Sequence, residues 1–277
     1  MLVSQFAIDQ FLSSGTARIP ITQRAQKIVA ETFGAASWFF REPAEVKIQC
    51  KLPSCGGYRP FGSEYSQSPD RPDQMETFTA SNRTRSIGSS LPNARARLLH
   101  SRMLDALDSL EPIAEEITVS VARALAGECF YQKLRGSMSR WSRLQLNYST
   151  PAETKTPLIN DIHEDGVFIT LALSTGPGLE LQLSTGGFAP AASQGNELIA
   201  MAGEIAWLLS GGKIPPAYHR VSSASRSNER MALLFFGDID PRLCIPWVSN
   251  EVNIDVDIGS RVQNSANRFG LESFTRE

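Results

Sequence analysis

Apolar residues between Ala94 and Ala126 recur three and four positions apart. Leu98, Met103, Leu104, Leu107, Leu110, Ile113, Ile117, Val121 and Leu125 form one stripe, with Asp105, Asp108, Glu115 and Glu116 on the far side. That period predicts a long amphipathic helix whose stripe is core. Pro112 lacks an amide donor and crowds the preceding turn, so the helix is expected to kink or divide there. Ala25, Ile28, Val29 and Phe33 repeat the spacing behind a capping Thr22, which predicts a second helix running towards Phe40. Phe6 to Leu12 predicts a short helix stopped by Gly15, and Thr16 to Ile21 alternates as a short strand does.

Past Gly136 the period falls to two. Arg143, Gln145, Asn147 and Ser149 alternate with Leu144, Leu146 and Tyr148, which puts a polar row on one face of a strand and an apolar row on the other. β-rich runs follow at Val167 to Leu173, Leu179 to Leu183, Glu197 to Ala202, Tyr218 to Val221 and Met231 to Phe236, with Gly, Pro, Ser and Asn turns between them. The expected architecture is mainly β with flanking helices, its strands closing into a barrel or double sheet. One domain should span 1–277: a mostly helical support with a substrate loop over 1–137, a strand-rich core over 138–248 and a tail over 249–277. From Cys50 to Pro72 the chain is rich in Pro, Gly, Ser and aromatics, the composition of an ordered loop. Tyr58, Arg59 and Phe61 of that loop, with Arg143, Gln145 and Asn147 on the polar strand face, are the candidates for lining a pocket.

Composition narrows the function. Hydrophobic residues make up 42% and charged residues 20%, and no apolar run approaches the roughly 18 residues of a membrane span. The formal charge is −2, with no basic stripe to neutralise a phosphate backbone, so nucleic acid is not an expected partner and a small molecule is. The first residues show neither a basic segment nor a signal-type apolar block, which predicts a cytoplasmic protein. Cys50, Cys55, Cys129 and Cys244 form no CxxC pair and read as reduced, buried thiols.

The chemistry concentrates between His163 and Phe236. Side chains at i and i+2 of a strand point the same way, so His163 and Asp165 can ligate one metal from a single strand while Glu164 faces elsewhere. His219 is the only other histidine downstream, and His100, on the long helix, is given no role. Two imidazoles and one carboxylate leave about three positions of an ion open, the arrangement of non-haem iron(II) oxygenases. Alone, an HxD is a weak motif, since a barrel histidine held by a hydrogen bond reads the same.

Further features occur in order with it: Thr170, Pro177-Gly178-Leu179, Gly203-Glu204, His219-Arg220-Val221, Arg230 and Phe235-Phe236. Upstream stand Phe39-Phe40 with Pro43 to Lys47, Gly57-Tyr58 with Gly62-Ser63-Glu64-Tyr65, and Leu144 to Tyr148. In this set the chain resembles the isopenicillin N synthase-like branch of the iron(II)- and 2-oxoglutarate-dependent oxygenases. The resemblance implies a double-stranded β-helix, or jelly roll, with helices on one sheet. It implies iron(II) held by catalytic His163, Asp165 and His219, with 2-oxoglutarate and O2 as co-substrates. Arg230 would present its fork to the distal carboxylate of 2-oxoglutarate, helped by Asn147 and Ser149. The implied reaction oxidises a substrate C–H bond while 2-oxoglutarate is decarboxylated to succinate, with hydroxylation, desaturation or ring closure as outcome.

The chain departs from the pattern twice. The serine two residues after the anchoring arginine is Ala232, and the second tyrosine of Asn-Tyr-Tyr is Ser149. Each neutral hydrogen bond contributes about 1 kcal/mol, so losing both predicts co-substrate binding weaker by tens of fold, with Ser149 able to act through a water. The alternative is an iron oxidase that uses oxygen without 2-oxoglutarate, with Arg230 on a substrate carboxylate.

Overall fold

The computed structural model describes residues 2–127, 134, 136–151, 156–191, 195–223, 229–240, 242, 257, 259–261 and 268–269. Three helices open the chain, and their ends follow from local chemistry. Helix α1 (Gln5–Ser14) begins at Ser4, whose Oγ accepts from the Ala7 amide, and stops at Gly15, where φ is 69°. Strand β1 (Thr16–Pro20) follows. In α2 (Gln23–Phe40) the hydroxyl of Thr22 accepts from the Ala25 amide, and α3 is one turn (Ala44–Lys47).

Helix α4 (Ala94–Ala126) is capped by Asn93, which accepts from the Arg95 and Ala96 amides. It runs unbroken through Pro112, so the predicted division does not occur. Pro112 sits on the exposed face, where water can solvate the carbonyl that the missing amide leaves. The apolar stripe is also shifted at its start: Leu98 is 37% exposed, while Leu99 is fully buried. His100 is buried beside it with Nε2 3.0 Å from the Thr84 hydroxyl.

The strands form two antiparallel sheets. The larger has β2 (Gly57–Arg59), β3 (Glu76–Ser81), β4 (Arg143–Ser149), β6 (Ile169–Ser174), β9 (Glu197–Ala202) and β11 (Arg230–Gly237) besides β1, in the order β1-β9-β6-β11-β4-β3-β2. The smaller is β5 (Leu158–His163), β10 (His219–Ser222), β7 (Leu179–Gln182) and β8 (Phe188–Pro190), in that order. Strands β2, β3, β5 and β8 lie outside the runs expected from the sequence, although Thr77, Thr79 and Ser81 alternate with Phe78 and Ala80 as a half-polar strand should.

The two faces of the large sheet do different work. Leu144, Leu146, Phe78, Leu171, Leu233 and Phe235 pack with α1, α2 and α4 into one large apolar layer. Fully burying each such side chain contributes roughly 1.5–3 kcal/mol. The other face turns Ala172, Ile199 and Met201 towards Ile159, Leu179 and Val221 of the small sheet. Between these facing layers lies a cavity. Tyr58 belongs to the first layer: its ring meets Phe39 edge-on at 5.8 Å, and its hydroxyl donates to Glu76 at 2.6 Å. The same carboxylate accepts from Lys47 Nζ at 2.7 and 2.8 Å. Tyr58 is therefore a core residue and does not line the pocket, because the middle residue of a three-residue strand points opposite to its neighbours. Among the described residues no helix is long and apolar enough to cross a membrane.

A candidate metal centre at the cavity mouth

His163 ends β5 and pairs in register with His219 at the start of β10. Their rings stand 4.2 Å apart. Asp165 lies beyond the end of β5, so the pair does not share one strand as expected; the turn after the strand brings the carboxylate back to the imidazoles. His163 Nε2 is 3.7 Å from Asp165 Oδ1, and His219 Nε2 is 3.9 Å from Asp165 Oδ2. Among the described residues this is the one cluster of three such donors, all within 4.8 Å of one another.

The Nδ1 atoms explain why the Nε2 atoms are the donors. His163 Nδ1–H donates to the Asp161 carbonyl at 2.7 Å, and His219 Nδ1–H to the Ala217 carbonyl at 2.9 Å. A carbonyl can only accept, so each ring keeps its proton on Nδ1 and its lone pair on Nε2. Burial and the neighbouring His219 hold the His163 pKa well below its ordinary range, against the pull of Asp165. The ring is therefore neutral at neutral pH, as ligation requires. Thr170 donates to Asp165 Oδ2 at 2.5 Å and fixes the carboxylate. Gaps of 3.7 and 3.9 Å between a carboxylate and two imidazole nitrogens exceed hydrogen-bond range. They suit groups that share an ion, and two imidazoles with one carboxylate fit iron(II).

The loop that carries Asp165 rests on Gly203. The Glu204 amide donates to the Asp165 carbonyl at 2.8 Å, and the Gly203 amide to the Phe168 carbonyl at 3.1 Å. A Cβ at Gly203 would lie 2.1 Å from the Val167 carbonyl oxygen and 2.5 Å from that of Asp165. Gly203→Ala is expected to push this loop away, lowering the melting temperature and weakening iron(II) affinity about tenfold. Gly34→Ala is the control, since nothing lies within 4 Å of its added Cβ inside α2; it should leave iron titration unchanged and stability equal or higher.

The cavity extends from this cluster along the inner face of the large sheet. Arg143, Gln145, Asn147, Thr170, Ala172, Ser174, Ile199, Met201, Arg230, Ala232, Leu234 and Phe236 line it, with Glu64, Asp73 and Asn160 on a further wall. Burial pushes the Asp73 carboxyl up to about 7, offset by Ser66 and Asn160. The polar row read from the alternation of β4 thus faces the cavity from Arg143 to Asn147. Ser149 is buried in register with Arg230 but does not line the space.

Arg59 and Phe61 do not line the cavity either. Arg59 is tied to Glu64 at 2.7 Å, to Thr79 at 3.1 Å and to Gln145 at 3.0 Å, so it supports the wall from behind. Gln145 passes this chain on, donating to Glu64 at 3.1 Å and to Asn147 at 2.9 Å. Arg230 is buried and its Nε donates to the Pro177 carbonyl at 3.0 Å.

One contributor to the site has no sequence signal. Phe269, from the segment expected to be a tail, lines the cavity and sets its ring 6.1 Å from that of His163. Beside it, Arg268 donates to Glu164 at 3.1 Å and also to Glu204, which Arg261 holds from the other side at 2.6 Å. Glu164, between the two ligands in sequence, thus anchors this covering segment. Cys50 is buried and Cys55 half-buried, and the two form no disulfide among the described residues; Cys129 and Cys244 lie outside the described residues.

The model of the 2OG-Fe(II) oxygenase superfamily matches residues 141–238, which carry all three candidate ligands and Arg230. No curated protein sequence matches the chain. Among solved structures, a full-length Neurospora crassa protein in complex with alpha-KG and 5-formyluracil shares 15% identity at a TM-score of 0.70, covering 93% of this chain and 88% of that one. The Arabidopsis thaliana dioxygenase for auxin oxidation 1, in a 2-oxoglutarate binary complex, shares 18% at 0.66, covering 85% and 88%. The rice dioxygenase for auxin oxidation shares 18% at 0.63, covering 83% and 75%. At these identities the structures speak for a shared jelly-roll fold. The family match falls on the segment that carries the candidate ligands, and the solved structures share the fold in which that segment is set.

Proposed function

We propose that this chain belongs to the isopenicillin N synthase-like branch of the superfamily and oxidises a C–H bond of a small molecule, in the cytoplasm, within specialised-metabolite biosynthesis. Hydroxylation, desaturation and cyclisation are all open to such a site. The observation that carries the reading is the set of three donor atoms within 4.8 Å on the wall of a cavity that also holds a buried arginine.

Iron(II) bound there supplies the activation of dioxygen, coupled to decarboxylation of 2-oxoglutarate. The residues of the chain do the positioning. His163 and His219 offer Nε2 with their tautomers already set, and Thr170 holds the Asp165 carboxylate in one orientation. The Pro177 carbonyl fixes the plane of Arg230, so its fork can meet the distal carboxylate of 2-oxoglutarate with little rotamer freedom left to lose. Leu234, Val221, Ile199 and Met201 make the space between apolar, and Phe269 reduces access of water from the mouth. Which outcome follows depends on how these walls hold the substrate.

Iron(II) and 2-oxoglutarate added without oxygen are expected to give a weak visible charge-transfer band, and oxygen with the true substrate to give succinate in step with product. Oxidised product without succinate would favour the second reading, an iron oxidase in which Arg230 binds a substrate carboxylate. Ala232 and Ser149 motivate that reading, since one removes a hydroxyl from beside Arg230 and the other puts a serine hydroxyl where a tyrosine would reach further.

A further inference from the structure

Among the described residues, the charges around the cavity pair off with one exception. Arg143 is matched by Asp238 at 4.0 Å and Glu64 by Arg59 at 2.7 Å, while Asp165 belongs to the metal cluster. A divalent metal and a dicarboxylate co-substrate cancel each other, as do Asp165 and Arg230. The exception is Asp73. It lines the cavity at 5% exposure and forms no ion pair among the described residues. Its partners are neutral: Ser66 donates to Oδ1 from its amide at 3.2 Å and from its hydroxyl at 2.9 Å, and Asn160 adds a third donor. The charged group that bears on it, Glu64, has the same sign.

Local hydrogen bonds fix where this carboxylate lies. The Asp73 amide donates to the Glu64 carbonyl at 2.8 Å, and the Gln74 amide donates to the Ile159 carbonyl of β5, also at 2.8 Å. Asn160, which supports the carboxylate, stands three residues before His163 on that same strand, about 10 Å along the backbone. Asn160 pairs with Val221 as His163 pairs with His219. Met75, Leu179 and Val221 pack together along the cavity here. The wall therefore carries an acidic position, an apolar stretch and then the metal cluster.

We propose that Asp73 is a specificity-determining residue, and that the substrate carries a protonated amine which this carboxylate holds while an apolar body extends towards the metal cluster. The proposal rests on the oxygenase reading above and narrows its substrate class. An ionised carboxylate buried among neutral donors alone is costly, and burial has already pushed this one up to about 7. A ligand cation removes that cost. A carboxylate accepts about four hydrogen bonds, and Ser66 and Asn160 supply three donors, so a position remains for an ammonium N–H. An alcohol of the same shape donates to that position but leaves the charge uncompensated, so preference for the amine is the signature of the site.

The test uses the full chain, anaerobic and loaded with iron(II) and 2-oxoglutarate. It is titrated by calorimetry with n-alkylamines from butylamine to octylamine and with the alcohols of the same lengths. Wild type is expected to bind its best amine about ten- to a hundredfold more tightly than the matching alcohol. Asp73→Asn keeps an acceptor for Ser66 and should erase that preference while changing 2-oxoglutarate affinity less than twofold. Asp73→Glu keeps the charge and extends it by one methylene, so the preference should survive with its optimum moved to a shorter amine.

If no amine outbinds its alcohol in wild type, the inference is overturned. A preference that persists in Asp73→Asn assigns the amines to the metal and overturns it equally. Should Asp73→Asn fail to fold, Asp73→Glu decides, because an unchanged optimum length means that the carboxylate does not touch the ligand. Wild type that forms no charge-transfer band yet keeps an amine preference dependent on Asp73 removes the oxygenase reading and leaves the cation site standing.

Discussion

Asp165→Ala is expected to abolish iron(II) binding and, with it, every turnover that depends on the metal. The carboxylate is the one anionic donor of the cluster, and each imidazole nitrogen is less than 4 Å from it. Removing it leaves two imidazoles alone, which hold a divalent cation far less well. Loss of the Thr170 hydroxyl alone, as in Thr170→Val, should weaken iron(II) by about ten- to a hundredfold, because a partner that orients a ligand is worth that much. Asp165→Ala should exceed this and leave no measurable charge-transfer band. Anaerobic iron(II) titration ranks the variants, and His100→Gln is the control because that ring contacts Thr84 on the far side of the large sheet. Equal iron affinity in Asp165→Ala and wild type would remove the metal centre from the account.

Lys47→Met should be the most destabilising change outside the site, by about 3–5 kcal/mol. Lys47 Nζ and the Glu76 carboxylate are both buried and meet at 2.7 and 2.8 Å, with the Tyr58 hydroxyl as a further donor and the Phe40 carbonyl as a further acceptor. Truncating one partner leaves a carboxylate in an apolar layer with one neutral donor, which is the costly way to break a buried pair. The double variant Lys47→Met, Glu76→Leu replaces both charges and should recover much of the loss. Urea unfolding at neutral pH measures both. A double variant as unstable as the single one would mean that shape rather than charge governs this position.

Much of the organisation is legible in the chain, and the reasons differ by element. The three- and four-residue spacing of α4 and the two-residue alternation of β4 are direct consequences of helix and strand geometry, so element type and facing can be read. Three failures have physical causes. Pro112 breaks helices when its lost hydrogen bond is buried, and sequence does not reveal that it is exposed. Tyr58 carries a hydroxyl and sits in a loop-like stretch, so its alternation with Arg59 is masked by three-residue strand length. Phe269 reaches the site through long-range packing, for which no local period exists. The ligand residues are legible as types and order, but their geometry is not: Asp165 meets the imidazoles through a turn rather than from the strand of His163.

The acceptors that lock the two imidazoles are the main-chain carbonyls of Asp161 and Ala217. Every residue type carries a carbonyl, so no single side-chain replacement deletes either acceptor. The orientation of the candidate ligands is thereby insulated from mutational drift, while the cavity wall at Leu234 and Phe236 is written entirely in side chains. Within one lineage such a protein can exchange substrates by a few substitutions and keep its reactive centre, which makes the wall the place where relatives of this chain should diverge first.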